Sequence, residues 1–452
     1  MPPEGESAAK PGGGLDLDEA FVRLAGFIEK LPASQFIAPI LIFASVLVGY
    51  WLARPDPIDW YDHHIYLAEA LLHGSLNVAD TGIPDWFQDT VTVDGAKYLP
   101  YGPAPAILLT PFVAIWGTDF DETRFSMVLG AINAVLFWYT LGLLKLKPLS
   151  KVLGVLFFAF GTVHFYSATE GTIWFYNHVS AIFFLLIAII LFLKRVPLYL
   201  PAIALGFAWW SRGPTLLAAP FFLYGILARY DDGFSLKSLI DVDFYRRLWG
   251  SRALRDGMVF ASALIPFGVL TLLYNDVRFD SPFDTGFQTV YQSYTGGGLP
   301  YSFYRLDHPN APHFALFDLR NIPLHVYTMF LMPPQYFPDL SVLRPSPYGL
   351  SIFLTSPAFV YALFVKRRTW LKPASWIAIG LITIPLFMHY SQGWVQYGYR
   401  FMLDFMPFLA ILTVMSFDDH PSPRSRALQI GLVAISIVSG IWGRYWANEY
   451  GW

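Results

Sequence analysis

Residues 36–74 read FIAPILIFASVLVGYWLARPDPIDWYDHHIYLAEALLHG. The first 18 residues of this stretch carry no charge and are almost all apolar. A helix needs roughly 17–25 such residues to cross a bilayer. Directly behind them stand Asp59, Asp62, His63 and His64. The stretch therefore sets the class: the chain enters a membrane and places ionisable groups where it emerges.

Composition extends that reading to the whole chain. Of 452 residues, 55% are hydrophobic, 18% aromatic and 14% charged, and the mean hydropathy is +0.44. A soluble domain would be about one-quarter charged. Strict two-residue alternation, the mark of a membrane barrel, is absent. The expectation is an all-α polytopic membrane protein. With no cysteine, disulfides, thiolate catalysis and zinc–thiolate sites are excluded. The net charge is −3 and no basic stripe occurs, so nucleic acid is not an expected partner. Residues 1–14, MPPEGESAAKPGGG, are polar and Pro/Gly-rich and are expected to be disordered. No cleavable signal peptide is read before the first span. Residues 15–31 read as an amphipathic helix on the membrane surface, completing an N-terminal region of 1–35.

About eleven spans are expected, near 36–53, 125–144, 152–167, 177–193, 198–210, 214–228, 257–274, 349–365, 373–390, 399–416 and 427–445. The fifth and sixth could be one kinked helix, because Gly213-Pro214 breaks regular helix. Lys and Arg gather in alternate loops, which places those loops and the N-terminus in the cytoplasm. That assignment requires 101–117, YGPAPAILLTPFVAIWG, to be a juxtamembrane helix and not a span. Two long loops, 54–124 and 275–348, then lie outside, and 349–452 forms a final helical region. Asp, Glu and His concentrate on that outer face, including Asp85, Asp89, Asp94, Asp307, His308 and His313. Loops of such length are usually functional or disordered.

Five groups of residues could carry chemistry there. Asp59, Asp62, His63 and His64 could supply a general base or hold a divalent cation, or could simply cap the following helix. Glu170, in SATEGTIWFYNH, is a carboxylate in apolar surroundings, where it is costly unless used or hydrated. Arg212, in WWSRGPTLLAAP, calls for an anion, either a phosphate or a structural carboxylate. Arg400 and Asp404 lie four apart and could pair on one helical face, or Arg400 could meet a lipid phosphate with Asp404 orienting it. Lys97, Tyr98 and Tyr101 suit a phosphate or sugar, and equally an interfacial belt.

These landmarks, in this order, resemble the membrane glycosyltransferases of the GT-C superfamily. Within it they are similar to the branch of protein O-mannosyltransferases and the lipid A aminoarabinose transferase. The resemblance rests on DWYDHHIY, on DGAKYLPYGPAPAILLTPFVAIWG, on Glu170 and on WSRGPTLLAAP, and covers about the first half of the chain. It implies that 36–274 is a GT-C-like catalytic module and that the donor is a polyprenyl-phosphate sugar. By the same resemblance Asp62 is the general base, with Asp59 its close competitor. Glu170 would orient the acceptor or a metal, and Arg212 would lie near the donor phosphate. A lysine of relatives falls where this chain has Tyr101, with Lys97 nearby, so Arg212 or Arg400 could take over the phosphate. The doublet His63-His64 has no counterpart in the motif and could mark a metal site or a polar rim. No cofactor is certain; a divalent metal ion is possible. The partners implied are the lipid-linked donor, membrane lipids and a glycan, lipid or protein acceptor.

Two other functions fit the same composition. A lipid or sugar transporter or flippase would show charges along a pathway and often internal repeats; here charges gather at one face and no repeat is seen. A glycan polymerase or ligase using a lipid-diphosphate donor would need two or more converging Arg residues, which Arg212 and Arg400 leave open.

Overall fold

A computed structural model describes residues 34–56, 58, 60–231, 234–295, 315–338 and 341–450. The expected N-terminal disorder and surface helix lie outside these residues, as do Asp59, Asp307, His308 and His313. The fold is all-α and polytopic. Helix α1 spans Ser34–Ala53, α2 His63–Leu72, α3 Ala104–Trp116, α4 Glu122–Leu143, α5 Pro148–Phe160, α6 Val163–Glu170, α7 Ile173–Leu193, α8 Tyr199–Ser211 and α9 Ala219–Tyr230. After a short helix, α10 Val242–Leu248, come α11 Arg252–Ser262, α12 Ile265–Phe279, α13 Phe287–Thr295, α14 Ile322–Val326, α15 Ile352–Thr355, α16 Leu371–Met388, α17 Met406–Asp419 and α18 Pro423–Tyr450.

Among the described residues, five segments are long and apolar enough to cross a membrane: α4, α7, the α11–α12 stretch, α16 and α18. The pair α5 and α6, bent by 47°, adds a sixth. The remaining expected spans fall on shorter or broken helices. The break at Arg212–Gly213 is real: α8 ends, a 3₁₀ segment covers Gly213–Ala218, and α9 follows. The stretch near 349–365 is carried by α15 and a 3₁₀ segment, Pro357–Phe364. Helix α3 has 13 residues, a length of about 20 Å. That falls short of the roughly 30 Å hydrocarbon thickness, in keeping with a juxtamembrane helix.

One continuous apolar core joins α1 to α18. Its centre is α7, packed against α4 and α8, with α17 beside the 3₁₀ segment Pro357–Phe364. Close approach is set by small residues: a Cβ on Gly154 would meet Val414 at 2.6 Å. Gly171 and Thr172 alone separate α6 from α7, and this turn marks one end of the bundle. Over that end folds the first loop. It is stiffened by a hairpin of β1, Val91–Val93, and β2, Ala96–Tyr98. Its two-residue turn is Asp94-Gly95, both at positive φ, the pairing that type I′ hairpins favour. Asn77 Oδ1 accepts from the backbone N–H groups of Lys97 and Ala79, both at 2.9 Å, tying the hairpin down.

Candidate active site

At this end of the bundle lies a cavity of about 870 Å³. Its wall is drawn from the α1–α2 connection, the residues before β1, Tyr101, the α6–α7 turn, the break after α8, α13 and the segment after α16. Most of it is aliphatic and aromatic. The ionisable groups that reach it include Asp89, Tyr101, Glu170, Arg212, His389 and Arg400. Thus Glu170, Arg212, Arg400 and Tyr101, expected from sequence to act together, do share one hollow.

Arg212 sits where α8 stops, and its guanidinium turns onto Asp404. Nε donates to Oδ1 at 3.1 Å and Nη2 to Oδ2 at 3.1 Å. His178 Nδ1 also bonds Oδ1, at 2.7 Å. Arg212 therefore has the structural carboxylate that one sequence reading required. Of the two readings of Arg400 and Asp404, the pair does not form. Both lie on a 3₁₀ segment, Arg400–Asp404. At three residues per turn, positions four apart point in different directions. Arg400 instead faces the cavity with its guanidinium 4.9 Å from the Phe175 ring centre and 5.7 Å from that of Phe401. It is only 8% exposed, and among the described residues its one hydrogen bond is to the Trp394 carbonyl at 3.3 Å and its Nε is buried without a partner. Among the described residues no carboxylate lies within ion-pair distance of it.

Glu170 is the last residue of α6. Gly171 follows at φ 67°, the left-handed cap that glycine adopts without strain. A Cβ there would lie 2.6 Å from the Thr123 backbone, so Gly171→Ala is expected to lower stability, as a drop in melting temperature would show. Sequence reasoning missed Glu170's partners. Arg444 Nη1, on α18, donates to Oε2 at 2.6 Å, and Arg54 Nη1, just past α1, at 3.5 Å. Asn448 Oδ1 accepts from both guanidiniums, at 3.0 and 3.1 Å. The signal was present: Arg444 follows the uncharged run 427–443 of the final helix, and a charge set in so apolar a helix usually demands a partner.

The first loop departs further from expectation. Asp62 is the N-cap of α2 and its carbonyl accepts from the Ile65 N–H, but its side chain makes no capping bond. It is half-buried and is not on the cavity wall, although its neighbour Tyr61 is. His63 and His64 are fully buried. His63 Nε2 bonds the Gln88 carbonyl at 2.7 Å and His64 Nε2 bonds Asn177 Oδ1 at 2.9 Å. Among the described residues no group of three or more His, Asp or Glu side chains could hold a metal ion. Lys97 pairs with exposed Asp85 at 2.7 Å, and Tyr98 packs edge-on against Phe279; neither lines the cavity.

Burial depresses His63, and takes His64 down from 6.5 to about 3. The rings stay neutral in the folded protein, so no penalty exists above pH 6.5. As pH falls from 6.5 toward 3, the unfolded chain takes up protons that the folded chain refuses, and stability declines. We expect acid loss of structure in this window, followed by tryptophan fluorescence. His64→Gln should flatten it, and an unchanged profile in that variant would contradict the assignment.

Asp89 was named from sequence only as one of many outer acids. It lies on the cavity wall at φ 57°. Its Oδ2 accepts from Tyr101 Oη at 2.8 Å and from Trp174 Nε1 at 2.5 Å. No sequence signal distinguishes it from its neighbours, because its backbone conformation and its donors are properties of the assembled loop.

No family model matches the chain, and no curated protein matches it. Among solved structures the chain is similar to the Archaeoglobus fulgidus oligosaccharyltransferase in its apo form, at 14% sequence identity and a TM-score of 0.41. The match covers 88% of this chain and 56% of that one, so the chain spans little more than half its length.

Proposed function

We propose that the protein is a membrane glycosyltransferase that moves a sugar from a polyprenyl-phosphate donor to an acceptor hydroxyl, with inversion, at the outer face. The observation that carries this reading is Arg400, a buried guanidinium with no carboxylate within ion-pair distance among the described residues, on the wall of a mostly apolar cavity. Such a charge is expensive to keep in a protein interior unless an anion joins it. A phosphate with an apolar chain matches both the charge and the wall. The charge balance favours one phosphate over two: Arg212 is matched by Asp404, whereas Arg400 has no carboxylate at ion-pair distance among the described residues. The leaving group is then a lipid phosphate, and a fixed guanidinium stabilises the charge that develops on it. Tyr101 lines the same wall, at the position where the enzymes that the sequence resembles carry a lysine.

The test uses full-length protein in nanodiscs with undecaprenyl phosphate carrying a labelled hexose or pentose. Transfer of label with release of undecaprenyl phosphate supports the reading. Movement of the intact lipid-linked sugar across a liposome membrane, with no label transferred and no phosphate released, would instead favour a transporter. Because Lys97 is engaged by Asp85 away from the cavity, Lys97→Ala is expected to leave undecaprenyl phosphate binding within about twofold, whereas Tyr101→Ala should weaken it.

A further inference from the structure

Residues 234–256 join α9 to α11, at the end of α9 away from Arg212, and none of them lines the cavity. Helix α10 lies in the middle of this segment, and its two sides differ. At about 100° of turn per residue, Val242, Tyr245 and Trp249 share one stripe, with Phe244 and Leu248 on the opposite side. Phe244 is buried and meets the ring of Phe234, with centres 5.5 Å apart. The other stripe is bare. Val242 is 67% exposed and Trp249 84%, and Ile240, just before the helix, is 86% exposed. An apolar stripe turned away from the protein is costly in water and marks a contact surface.

The next element identifies the environment of that stripe. Arg252 opens a 28-residue stretch, α11 and α12, that is long and apolar enough to cross a membrane, and little of its apolar part is buried in the protein. Trp249 stands just before this stretch, at the depth where a crossing helix meets the headgroups and where Trp and Tyr are enriched. A protein partner would have to displace lipid already there.

Charge narrows the choice of lipid. The segment has five cations and three acids. Each acid is already engaged: Asp243 by Arg246 at 3.0 Å, Asp241 by Arg247 at 3.8 Å, and Asp256 by the Tyr230 hydroxyl at 2.6 Å. Lys237, Arg252 and Arg255 are exposed, and among the described residues no carboxylate lies within ion-pair distance of them. Pairs as exposed as those of Arg246 and Arg247 are weak, so these two guanidiniums also stay open to an outside anion.

We propose that residues 234–256 form a docking surface for anionic phospholipid. Val242, Tyr245 and Trp249 enter the headgroup layer, and Lys237, Arg252 and Arg255 meet the lipid phosphates around them. The distribution of Lys and Arg along the chain predicts the cytoplasmic side for this loop, and the cytoplasmic leaflet is the one whose negative surface attracts basic segments beside a span. The surface is independent of the transferase reading.

The chain has no cysteine, so Trp249→Cys gives one labelling site on the stripe, and Val242→Cys gives a second should loss of the indole disturb the fold. Full-length protein with an NBD dye at either site is placed in nanodiscs. Nitroxide-labelled phosphatidylglycerol or nitroxide-labelled phosphatidylcholine is the quencher. Both lipids should quench, and phosphatidylglycerol should do so at about one-tenth of the content that phosphatidylcholine needs, or less, given the attraction of each basic residue for an anionic surface. That preference should shrink at high salt and vanish in the triple variant Lys237→Gln, Arg252→Gln, Arg255→Gln. Equal quenching by the two lipids at low salt would overturn the anionic assignment, as would a preference that survives both high salt and the triple change. A dye at both sites that neither lipid quenches, and that aqueous dithionite reduces as fast as free dye, would overturn the membrane contact and point to a protein partner for the stripe.

Discussion

Arg400→Gln is expected to lower sugar transfer by about 10²–10³-fold, the effect of removing one positioned donor, about 2.7–4 kcal/mol, from a developing oxyanion. The same change should weaken binding of undecaprenyl phosphate. Arg400→Lys should recover only part, since an ammonium is a compact point charge that cannot grip two oxygens in a plane. What sets this residue apart from other buried arginines is the expected stability of its variant. Arg212, Arg444 and Arg54 all touch carboxylates, so losing any of them takes a cation from a buried acid. Arg400 touches none among the described residues, and its Nε is already unsatisfied. Removing it relieves a desolvation penalty, so Arg400→Gln should melt no lower than the parent protein. A variant that is inactive but at least as stable is the signature of a charge kept for its ligand. A large drop in melting temperature together with unchanged transfer would show that Arg400 serves the fold.

The membrane class was legible in the sequence because apolar runs of helical length announce themselves without tertiary context. The break at Gly213-Pro214 and the short helix after Tyr101 were legible for the same local reason: Pro and Gly act on their own backbone. Side-chain partnerships were not. Arg212 and Asp404 are 192 positions apart, and Glu170 and Arg444 are 274 apart. Four-residue spacing left a pair between Arg400 and Asp404 open, and the pair does not form because the local helix is 3₁₀. The first loop shows the same limit. Its two histidines look like metal ligands in sequence, whereas in the fold each has a hydrogen-bonding partner from another element. Asp89 gains its place only once β1, β2 and the start of α7 are assembled around it.

Glu170→Gln should produce the largest loss of stability of any single charge change near the cavity, about 3–5 kcal/mol, the range for breaking a buried ion pair by removing one partner. The reason is the imbalance left behind. Glu170 is 3% exposed and Arg444 2%, at 2.6 Å, with Arg54 closing from the other side. A glutamine keeps the shape and one acceptor oxygen but withdraws the only carboxylate within ion-pair distance of Arg444 among the described residues. It thus leaves a buried guanidinium over Tyr166 with nothing to balance it. Glu170 also joins the end of α1, the end of α6 and α18, so the loss should spread: α18 should exchange its backbone amides faster. Pairing Glu170→Gln with Arg444→Met separates a structural role from a catalytic one. If the carboxylate serves the ion pair, the double variant regains much of the stability, because the stranded charge is gone, and transfer recovers with it. If Glu170 contacts the acceptor or a metal, stability returns while transfer stays low. Melting and transfer measured on the same nanodisc preparations distinguish the two, and the geometry favours the first: the oxygen that meets Arg444 also meets Arg54, so the cavity-facing carboxylate is already held from behind.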